Sequence, residues 1–327
     1  MKHDCSKKRG KGHGTWDRFA SCFLPLASCL LLLLSCNGPN GKPEPTDTPT
    51  SGDVNVVVDE SYSQLFDTEI YTFQSLYVNA HVHAKYLPES EALKALLEDS
   101  AKVAVIDRAL TDEERNIFKS KNIFPIETKI AEDAVAFVVN NSNTDTSLGI
   151  GQFSYMISGI DTLWTTINKD SKLGSVQIVF DNPNSSIAKY LASFSKMPHL
   201  PKNAYAVKSN AEVIDYVSKN KNALGVISVN WISDRDDSLT QHFLKKIKVI
   251  GFRKLTGDST HSYKPYQAYI KTKEYPYCRN VYMISRQTRP GLGMGFVSFV
   301  AGDKGQRIIL KMGLVPAIAP TRMVEIH

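Results

Sequence analysis

Short apolar runs alternate with segments of helical spacing along most of the chain. Residues 54–58 and 103–106 form nearly continuous apolar runs, which are typical of buried strands. Further strands are predicted at 79–85, 131–140, 176–180, 222–229, 247–252, 266–270 and 281–284, and helices at 62–74, 88–100, 111–119, 148–160, 185–195, 210–220, 293–300 and 303–312. Buried strands that alternate with helices predict an α/β protein whose mixed sheets are covered by helices.

One strand–turn–helix junction carries two hydroxyl groups. The strand at 176–180 is followed by a tight polar turn at 181–184, and Ser185 and Ser186 then open a helix. A helix start has unpaired backbone N–H groups and partial positive charge, so hydroxyls placed there can bind a small oxyanion. The alternative interpretation is that Asn184 or Ser185 merely caps the helix, as asparagine and serine commonly do.

Two other junctions have the same form. Ser61 follows the first predicted strand, and Asp107 and Arg108 follow the strand at 103–106. In open α/β sheets, ligands bind beyond the carboxyl ends of the strands, which makes these side chains candidates for a binding site. The alternatives are that Ser61 caps the next helix and that Asp107 and Arg108 form a surface pair.

The N-terminal residues have the pattern of an export signal. A basic segment runs through Arg18, an apolar segment covers 19–34, and Leu33-Leu34-Ser35-Cys36 follows. This ending resembles the lipobox of bacterial lipoproteins, in which Cys36 would be lipidated after removal of residues 1–35. The alternative is an uncleaved anchor, but the apolar segment is short for a span of about 20 residues. Residues 36–53, rich in Pro, Gly, Thr and Asn, predict a flexible tether.

Composition excludes general nucleic-acid binding. The chain has 42% hydrophobic and 22% charged residues and a formal charge of +6, which is ordinary for a globular protein. Residues 1–35 contain six Lys or Arg and two Asp or Glu, which leaves 33 basic and 31 acidic side chains, a net charge of +2. That near balance gives no support for general nucleic-acid binding, so no nucleic acid is expected as a partner.

Cysteine usage leaves no internal disulfide. Cys5, Cys22 and Cys29 would leave with the signal and Cys36 would carry lipid, so Cys278 alone remains in the exported chain. The histidines are scattered without ligand spacing. We therefore expect neither a metal site nor a cofactor.

The order of five motifs carries a family resemblance. These motifs are Asp59-Glu60-Ser61, the run 105–114, the turn and helix start at 181–186, the strand 222–229, and Gly305-Gln306 followed by 313–316. Their order resembles that of the PstS-type phosphate-binding proteins, the solute receptors of phosphate ABC transporters. The resemblance implies the type II periplasmic binding-protein fold, in which two lobes are joined by a two-strand hinge.

The resemblance also implies the domain limits and the site. Lobe 1 would contain 54–141 and 250–327, and lobe 2 would contain 142–249, with the ligand in the cleft between them. The ligand would be phosphate or a related small oxyanion, passed to an ABC permease by a monomer that is lipid-anchored in the cell envelope, on its periplasmic side or at the cell surface. The expected ligand residues are Ser61, Asp107, Arg108, Ser185 and Ser186.

Phosphate suits this set of side chains because it keeps a proton near neutral pH. An ionised Asp107 can accept a hydrogen bond from that proton, whereas fully ionised sulfate would be repelled. The chain departs from the family at one point: Phe180 and Asp181 stand where the family usually has an arginine. Arg108 is the candidate for the missing positive charge.

Two alternatives start from the same residues. The added carboxylates favour an extracytoplasmic binding or sensing module of the same fold for another ligand or a protein partner. A phosphoesterase would use Ser185 as nucleophile and needs a nearby base, but the closest histidine in sequence is His199 and no Gly-x-Ser-x-Gly motif is present. We therefore expect no enzymatic activity.

Overall fold

The computed structural model describes residues 47–195, 200–234, 236–253 and 261–320. The predicted signal, Cys36 and most of the predicted tether lie outside these residues. None of the helices within them is long and apolar enough to cross a membrane.

Twelve strands are present in the described part of the chain. They are β1 (Gly52–Asp59), β2 (Ala80–Leu87), β3 (Val103–Ile106), β4 (Ile126–Asn140), β5 (Ser147–Gly149), β6 (Gln177–Phe180), β7 (Ala204–Ala206), β8 (Ala223–Ser228), β9 (Ile247–Val249), β10 (Gly251–Arg253), β11 (Cys278–Ser285) and β12 (Val315–Pro316).

The described residues also form eleven α-helices and two short 3-10 helices. The α-helices are α1 (Ser63–Leu76), α2 (Glu89–Leu97), α3 (Asp112–Ser120), α4 (Ile150–Ile157), α5 (Trp164–Ile167), α6 (Ser186–Ser195), α7 (Asn210–Lys219), α8 (Ser238–Lys246), α9 (Gln267–Lys271), α10 (Leu292–Ala301) and α11 (Asp303–Lys311). The 3-10 helices cover Glu60–Tyr62 and Val229–Ile232.

Strand β4 belongs to two sheets. Its first part pairs antiparallel with β11, which continues through β3 and β1 to β2. Its second part pairs antiparallel with β8, which continues through parallel β6 to β7. Strands β9 and β12 also pair with β4, while β5 and β10 form a separate small sheet. Parallel and antiparallel pairs therefore occur in both halves, as expected for mixed sheets.

Separate hydrophobic cores define two lobes. The first-lobe sheet is covered on both faces: Val56 faces the core with α1 and α10, and Val57 faces a smaller cluster with α2 and α3. A second core packs around the other half of β4 and includes Phe137, Trp164 and Phe252. The numerical limits of the lobes given above stay predictions.

The chain passes between the lobes at two adjacent places. One is β4 itself, and the other is the segment that leads into β11. The Val135 N–H donates to the Tyr277 carbonyl at 2.9 Å, so these two connections lie side by side. Tyr277 packs in the second core, whereas Val281, four residues later, packs in the first.

Local signals explain several element ends. Thr111 caps α3, and Glu114 completes a capping box by accepting from the Thr111 N–H at 2.8 Å. Gly313 follows α11 with a φ of +84°, the left-handed conformation that favours glycine after a helix. Both features depend on residues within four positions of each other, which is why the sequence pattern shows them.

The strand predicted at 266–270 is wrong, because these residues lie in and just before helix α9. The Ile270 N–H donates to the Tyr266 carbonyl at 3.0 Å, a helical contact. Five residues are too few for apolar spacing to distinguish a strand from one helical turn. The predicted strand 247–252 is divided at Ile250 into β9 and β10, which pair with different strands.

The described part of the predicted tether contacts the first lobe. The Asp47 carboxylate accepts a hydrogen bond from the Leu292 N–H at 2.7 Å, at the start of α10. One turn later, a Cβ on Gly295 would lie 1.8 Å from the Pro49 carbonyl oxygen. The absence of a side chain at Gly295 therefore allows residues 47–51 to lie against the helix.

Candidate functional site

Three of the predicted junctions converge on one buried arginine. Ser61 follows β1, Asp107 follows β3 and Ser186 opens α6, and all three are buried where the lobes meet. Arg279, at the start of β11, lies among them with only 6% of its surface exposed. The site thus combines an arginine and a carboxylate from the first lobe with a hydroxyl from the second.

The guanidinium of Arg279 joins both lobes through hydrogen bonds. Nη1 donates to Asp107 at 2.8 Å and to the Ser186 hydroxyl at 2.9 Å, while Nε donates to Asp133 at 2.8 Å. The guanidinium carbon lies 5.3 Å from the centre of the Tyr62 ring. Nη2 is buried and has no hydrogen-bond partner among the described residues. A buried donor without a partner is costly, and this one lies between the lobes.

Asp133 fixes the orientation of Arg279 at the junction of the two sheets. Its carboxylate is fully buried and also accepts from the Tyr62 hydroxyl at 3.2 Å and from the Ser228 hydroxyl at 2.9 Å. Tyr62 comes from the first lobe, and Ser228 ends a strand of the second. Because Asp133 lies on β4, one carboxylate ties the arginine to the strand that both sheets share.

Hydroxyl groups meet directly across the lobe boundary. The Ser61 and Ser186 Oγ atoms are 3.3 Å apart, and the Ser186 hydroxyl donates to Asp59 at 3.2 Å. Trp231, from the second lobe, donates its indole N–H to the Ser61 carbonyl at 3.2 Å. Small polar groups therefore form the contact between the lobes at this point.

The turn before α6 is organised by Asp181. Its carboxylate accepts from the Asn182 N–H at 2.9 Å and from the Asn210 amide at 3.2 Å. Burial raises the pKa of Asp181, and hydrogen bonds from Ser185 and Asn182 with the charge of Arg279 partly oppose that shift. Asp181, which stands where the family usually has an arginine, thus lies within reach of the positive charge of Arg279.

Ser185 and Ser186 have different contacts. The Ser185 hydroxyl accepts from the Ala188 N–H at 3.1 Å, which is the cap geometry considered from the sequence. The Ser186 hydroxyl instead contacts Asp59, Ser61 and Arg279. Only the second of the two hydroxyls therefore lies at the lobe boundary.

Arg108 lies farther out, on the wall of a pocket beside the buried cluster. It makes a bidentate pair with Glu114 at 2.7 and 2.8 Å and a contact of 2.5 Å with the buried Glu89. Lys189 of α6 approaches Glu89 from the other lobe at 3.5 Å. The pocket has a volume of about 470 Å³, and its lining includes Asp107, Ser186 and Arg279. Arg108 thus shares the pocket with the predicted residues while its charge is balanced by two carboxylates.

Arg279 was not found from the sequence, although one signal was available. Along β11, Arg279, Val281 and Met283 are buried, whereas Asn280 is exposed. Alternation of period two therefore places the arginine on the inward face of the strand. A charged side chain on that face needs a buried partner, which would have pointed to a polar site.

The carboxylates of this cluster do not form a metal site of the usual kind. Within the ranges that the structure describes, no group of three His, Cys, Asp or Glu side chains is placed to hold a metal ion. The positive charge among Asp59, Asp107 and Asp133 is supplied by Arg279 instead.

Comparison with known proteins identifies this class of structure. The arrangement of two lobes around a shared strand is that of the type II periplasmic binding proteins. A phosphate ABC transporter substrate-binding protein described from Clostridium perfringens, solved with bound phosphate, matches with a TM-score of 0.66 and 17% identity, over 82% of this chain and 100% of that chain. An ABC-type phosphate transport receptor from Vibrio cholerae matches with a TM-score of 0.62 and 18% identity, over 81% and 100%.

Sequence comparison gives the family. The family model for a PBP superfamily domain matches residues 43–304, and the chain belongs to that superfamily. The phosphate-binding protein PstS of Staphylococcus aureus is 25% identical over 288 residues, which cover 84% of this chain and 81% of that protein. The chain is therefore a divergent PstS-like member of that superfamily.

Proposed function

We propose that the chain binds phosphate or a related small oxyanion between its lobes, in contact with Ser61, Asp107, Ser186 and Arg279. The observation that carries this proposal is the buried guanidinium of Arg279, which reaches Asp107 in one lobe and Ser186 in the other. Its Nη2 group offers a buried donor with no partner among the described residues. The fork of a guanidinium matches the oxygens of a tetrahedral anion, which would complete its hydrogen bonds.

The remaining groups suit an anion that still carries a proton. The hydroxyls of Ser61 and Ser186 can donate to phosphate oxygens once the anion replaces their contacts with each other and with Asp59. Asp107 can accept the hydrogen bond of a P–O–H group, which sulfate lacks at neutral pH. The site would then select phosphate over sulfate, because it both donates hydrogen bonds to the anion and accepts the one from the P–O–H group.

Arg279 takes the part that the sequence assigned to Arg108. The cation that the family usually places before the α6 turn would come from β11 on the opposite lobe. Arg108 forms the outer wall of the same pocket, where its pairing with Glu89 and Glu114 leaves less charge for a ligand. Ser185 would act through the turn, by holding the start of α6 in place.

The relatives support transport as the role of binding. The Staphylococcus aureus relative is named a phosphate-binding protein, and the Clostridium perfringens and Vibrio cholerae structures are described as parts of ABC transport. We propose that this chain likewise delivers its ligand to an ABC permease, as a monomer and without catalysis. The ligand would be held by hydrogen bonds alone and released unchanged when the lobes open.

We also propose that Cys36 carries the lipid that anchors the protein in the envelope. The support is the Leu33-Leu34-Ser35-Cys36 pattern behind a basic and apolar segment. In bacterial cells that express the full chain, we expect the protein in the membrane fraction. The Cys36→Ser variant should lose incorporation of labelled fatty acid, and persistent labelling would overturn the proposal.

Binding is tested by isothermal titration of the purified protein with inorganic phosphate and sulfate at about pH 7. We expect saturable heat with phosphate and none with sulfate. Arg279→Lys keeps the charge but loses the fork, and it should weaken phosphate binding by about tenfold or more, because a hydrogen bond to a charged group contributes about 1.5–3 kcal/mol.

Two serine variants provide a matched pair. Ser186→Ala removes the hydroxyl at the lobe boundary and should weaken phosphate binding. Ser185→Ala removes the cap of α6 and should instead lower stability by about 0.5–2 kcal/mol, with the smaller effect on affinity. Absence of heat and of any thermal shift with millimolar phosphate in the wild type would overturn the proposed function.

A further inference from the structure

Asp59 has one oxygen that its surroundings leave without a partner. The residue ends β1 and is 1% exposed. Its Oδ1 atom accepts from the Ser61 N–H at 2.9 Å and from the Ser186 hydroxyl at 3.2 Å. Its Oδ2 atom is buried and has no hydrogen-bond partner among the described residues. A buried carboxylate oxygen in this state lacks the donors that an ionised oxygen needs.

The charges around Asp59 favour a proton on that oxygen. One guanidinium faces the three carboxylates of Asp59, Asp107 and Asp133, and it donates directly only to the last two. Negative charge is therefore in excess in a cluster from which water is largely excluded. Asp59 is the member without a direct ion pair, so it is the one that can become neutral at the lowest cost.

Every element packed against Asp59 agrees with this assignment. Burial is the largest influence and the charge of Asp107 is the second; together they raise the pKa of Asp59 to about 7, against the opposing effects of Arg279 and Ser61. The short helix after β1 adds Tyr62, and α6 adds the uncharged Ser186. The cation that opposes the rise in the pKa of Asp59 is Arg279.

We propose that Asp59 is a neutral carboxylic acid when the lobes are closed, and that its Oδ2–H donates a hydrogen bond to the bound oxyanion. This inference rests on the proposed oxyanion function. Asp59 would then be a specificity-determining residue with a role opposite to that of Asp107. Asp59 would donate a hydrogen bond to the anion, whereas Asp107 would accept a hydrogen bond from it.

The proton must come from solvent, because no neighbouring group gives one up. Closing the lobes transfers one proton from water or buffer to Oδ2, and opening returns it. Above the pKa of Asp59, closure therefore requires proton uptake. Ligand affinity should fall as the pH rises through that range, since the ionised carboxylate would repel the anion and lose its donor.

Calorimetry in two buffers with different protonation enthalpies measures this uptake. We expect the wild type to take up more protons on binding phosphate at about pH 8 than Asp59→Asn, whose amide is a permanent donor. The proton equilibrium of phosphate itself contributes to both proteins, so the difference isolates Asp59. Asp59→Asn should also bind with a flatter pH profile, and Asp59→Ala should bind weakly throughout.

Equal proton uptake by wild type and Asp59→Asn would overturn this inference and leave the proposed function standing. Failure of both to bind phosphate would instead overturn the proposed function, and with it the role of Asp59 toward an anion. Infrared spectroscopy of the phosphate-bound protein at about pH 6 tests the protonation state separately. Asp59→Asn should remove intensity from the C=O band of protonated carboxyl groups. Glu69→Gln is the reference: it removes another buried acid of raised pKa, so it shows how much C=O band intensity one protonated carboxyl group contributes. No loss in Asp59→Asn would overturn the inference.

Discussion

The Nη1 atom of Arg279 donates a hydrogen bond to the Asp107 carboxylate at 2.8 Å, and both side chains are almost fully buried. This pair joins the end of β3 to the start of β11, residues separated by 172 positions. The carboxylate orients the arginine, and under the proposed function it would also limit which anions can approach it. Changes at Asp107 should therefore affect selectivity as well as affinity.

Asp107→Asn should reduce the discrimination between phosphate and sulfate. The amide keeps the shape of the side chain but no longer repels a fully ionised oxygen, and its N–H₂ group can donate to one. We expect phosphate affinity to fall by about tenfold while sulfate binding becomes measurable. Titration calorimetry with both anions checks this. An unchanged ratio of the two affinities would show that Asp107 does not select the ligand.

Arg279→Gln should lower the free energy of unfolding by about 3–5 kcal/mol, because it leaves Asp107 and Asp133 buried without a counter-charge. Arg286, which directly follows β11, provides a control, since its partner Asp99 has a side chain that is 50% exposed. Arg286→Gln should cost about 1 kcal/mol or less. Denaturant unfolding monitored by tryptophan fluorescence measures both, and similar losses would contradict the assignment of Arg279 as a buried anchor.

Glu69→Gln should stabilise the protein increasingly as the pH rises. Glu69 is fully buried on α1, neither of its carboxyl oxygens has a partner among the described residues, and burial raises its pKa from 4.5 to about 9. Between these values the unfolded chain releases a proton that the folded chain keeps, so the wild type loses stability as the pH rises through this window.

The two proteins should therefore have similar melting temperatures at about pH 4 and diverge toward about pH 9, with the variant more stable. Differential scanning calorimetry at several pH values checks this. A difference that stays constant with pH would mean that Glu69 is already ionised in the folded protein.

Gly225→Ala should be destabilising because β8 has no room for a methyl group at this position. A Cβ there would lie 2.6 Å from Val217, 2.8 Å from Val138 and 3.0 Å from Val213. Overpacking of this kind costs about 1–3 kcal/mol. Gly174→Ala is the control, because its nearest neighbour would be the Asn222 amide at 3.4 Å, and it should change stability by about 0.5 kcal/mol or less. Equal effects in thermal unfolding would contradict the close packing at β8.

The parts of the fold that were predicted from sequence depend on neighbouring residues. The capping box of Thr111 and Glu114 and the buried run of β3 are complete within a few positions, so spacing and residue type were sufficient. The same holds for Ser186, whose place after a strand and a tight turn put it at the sheet edge. The short helix α9 was missed because the apolar spacing of five residues fits both a strand and one helical turn.

The centre of the site could not be predicted in the same way. Arg279 meets Asp107, Asp133 and Ser186, which are 172, 146 and 93 positions away. The pairing of β11 between β3 and β4 brings Arg279 to Asp107 and Asp133, and the packing of the second lobe brings Ser186 to it. Both are properties of the whole fold. The strand predicted at 281–284 ends short of Arg279, so neither the inward position of this arginine nor its partners were predicted.

The hydrogen bond between Val135 and Tyr277 makes the second lobe an insertion with adjoining ends. An inserted segment whose two ends lie at neighbouring backbone positions can be exchanged without moving the strands of the lobe that carries it. Here that carrying lobe, the host, is the first lobe. In this chain the host keeps the arginine and the acids, whereas the inserted segment contributes the α6 hydroxyl. Under the proposed function, ligand preference would be divided between the two lobes, and chimaeras with a relative's inserted segment would show which lobe sets it.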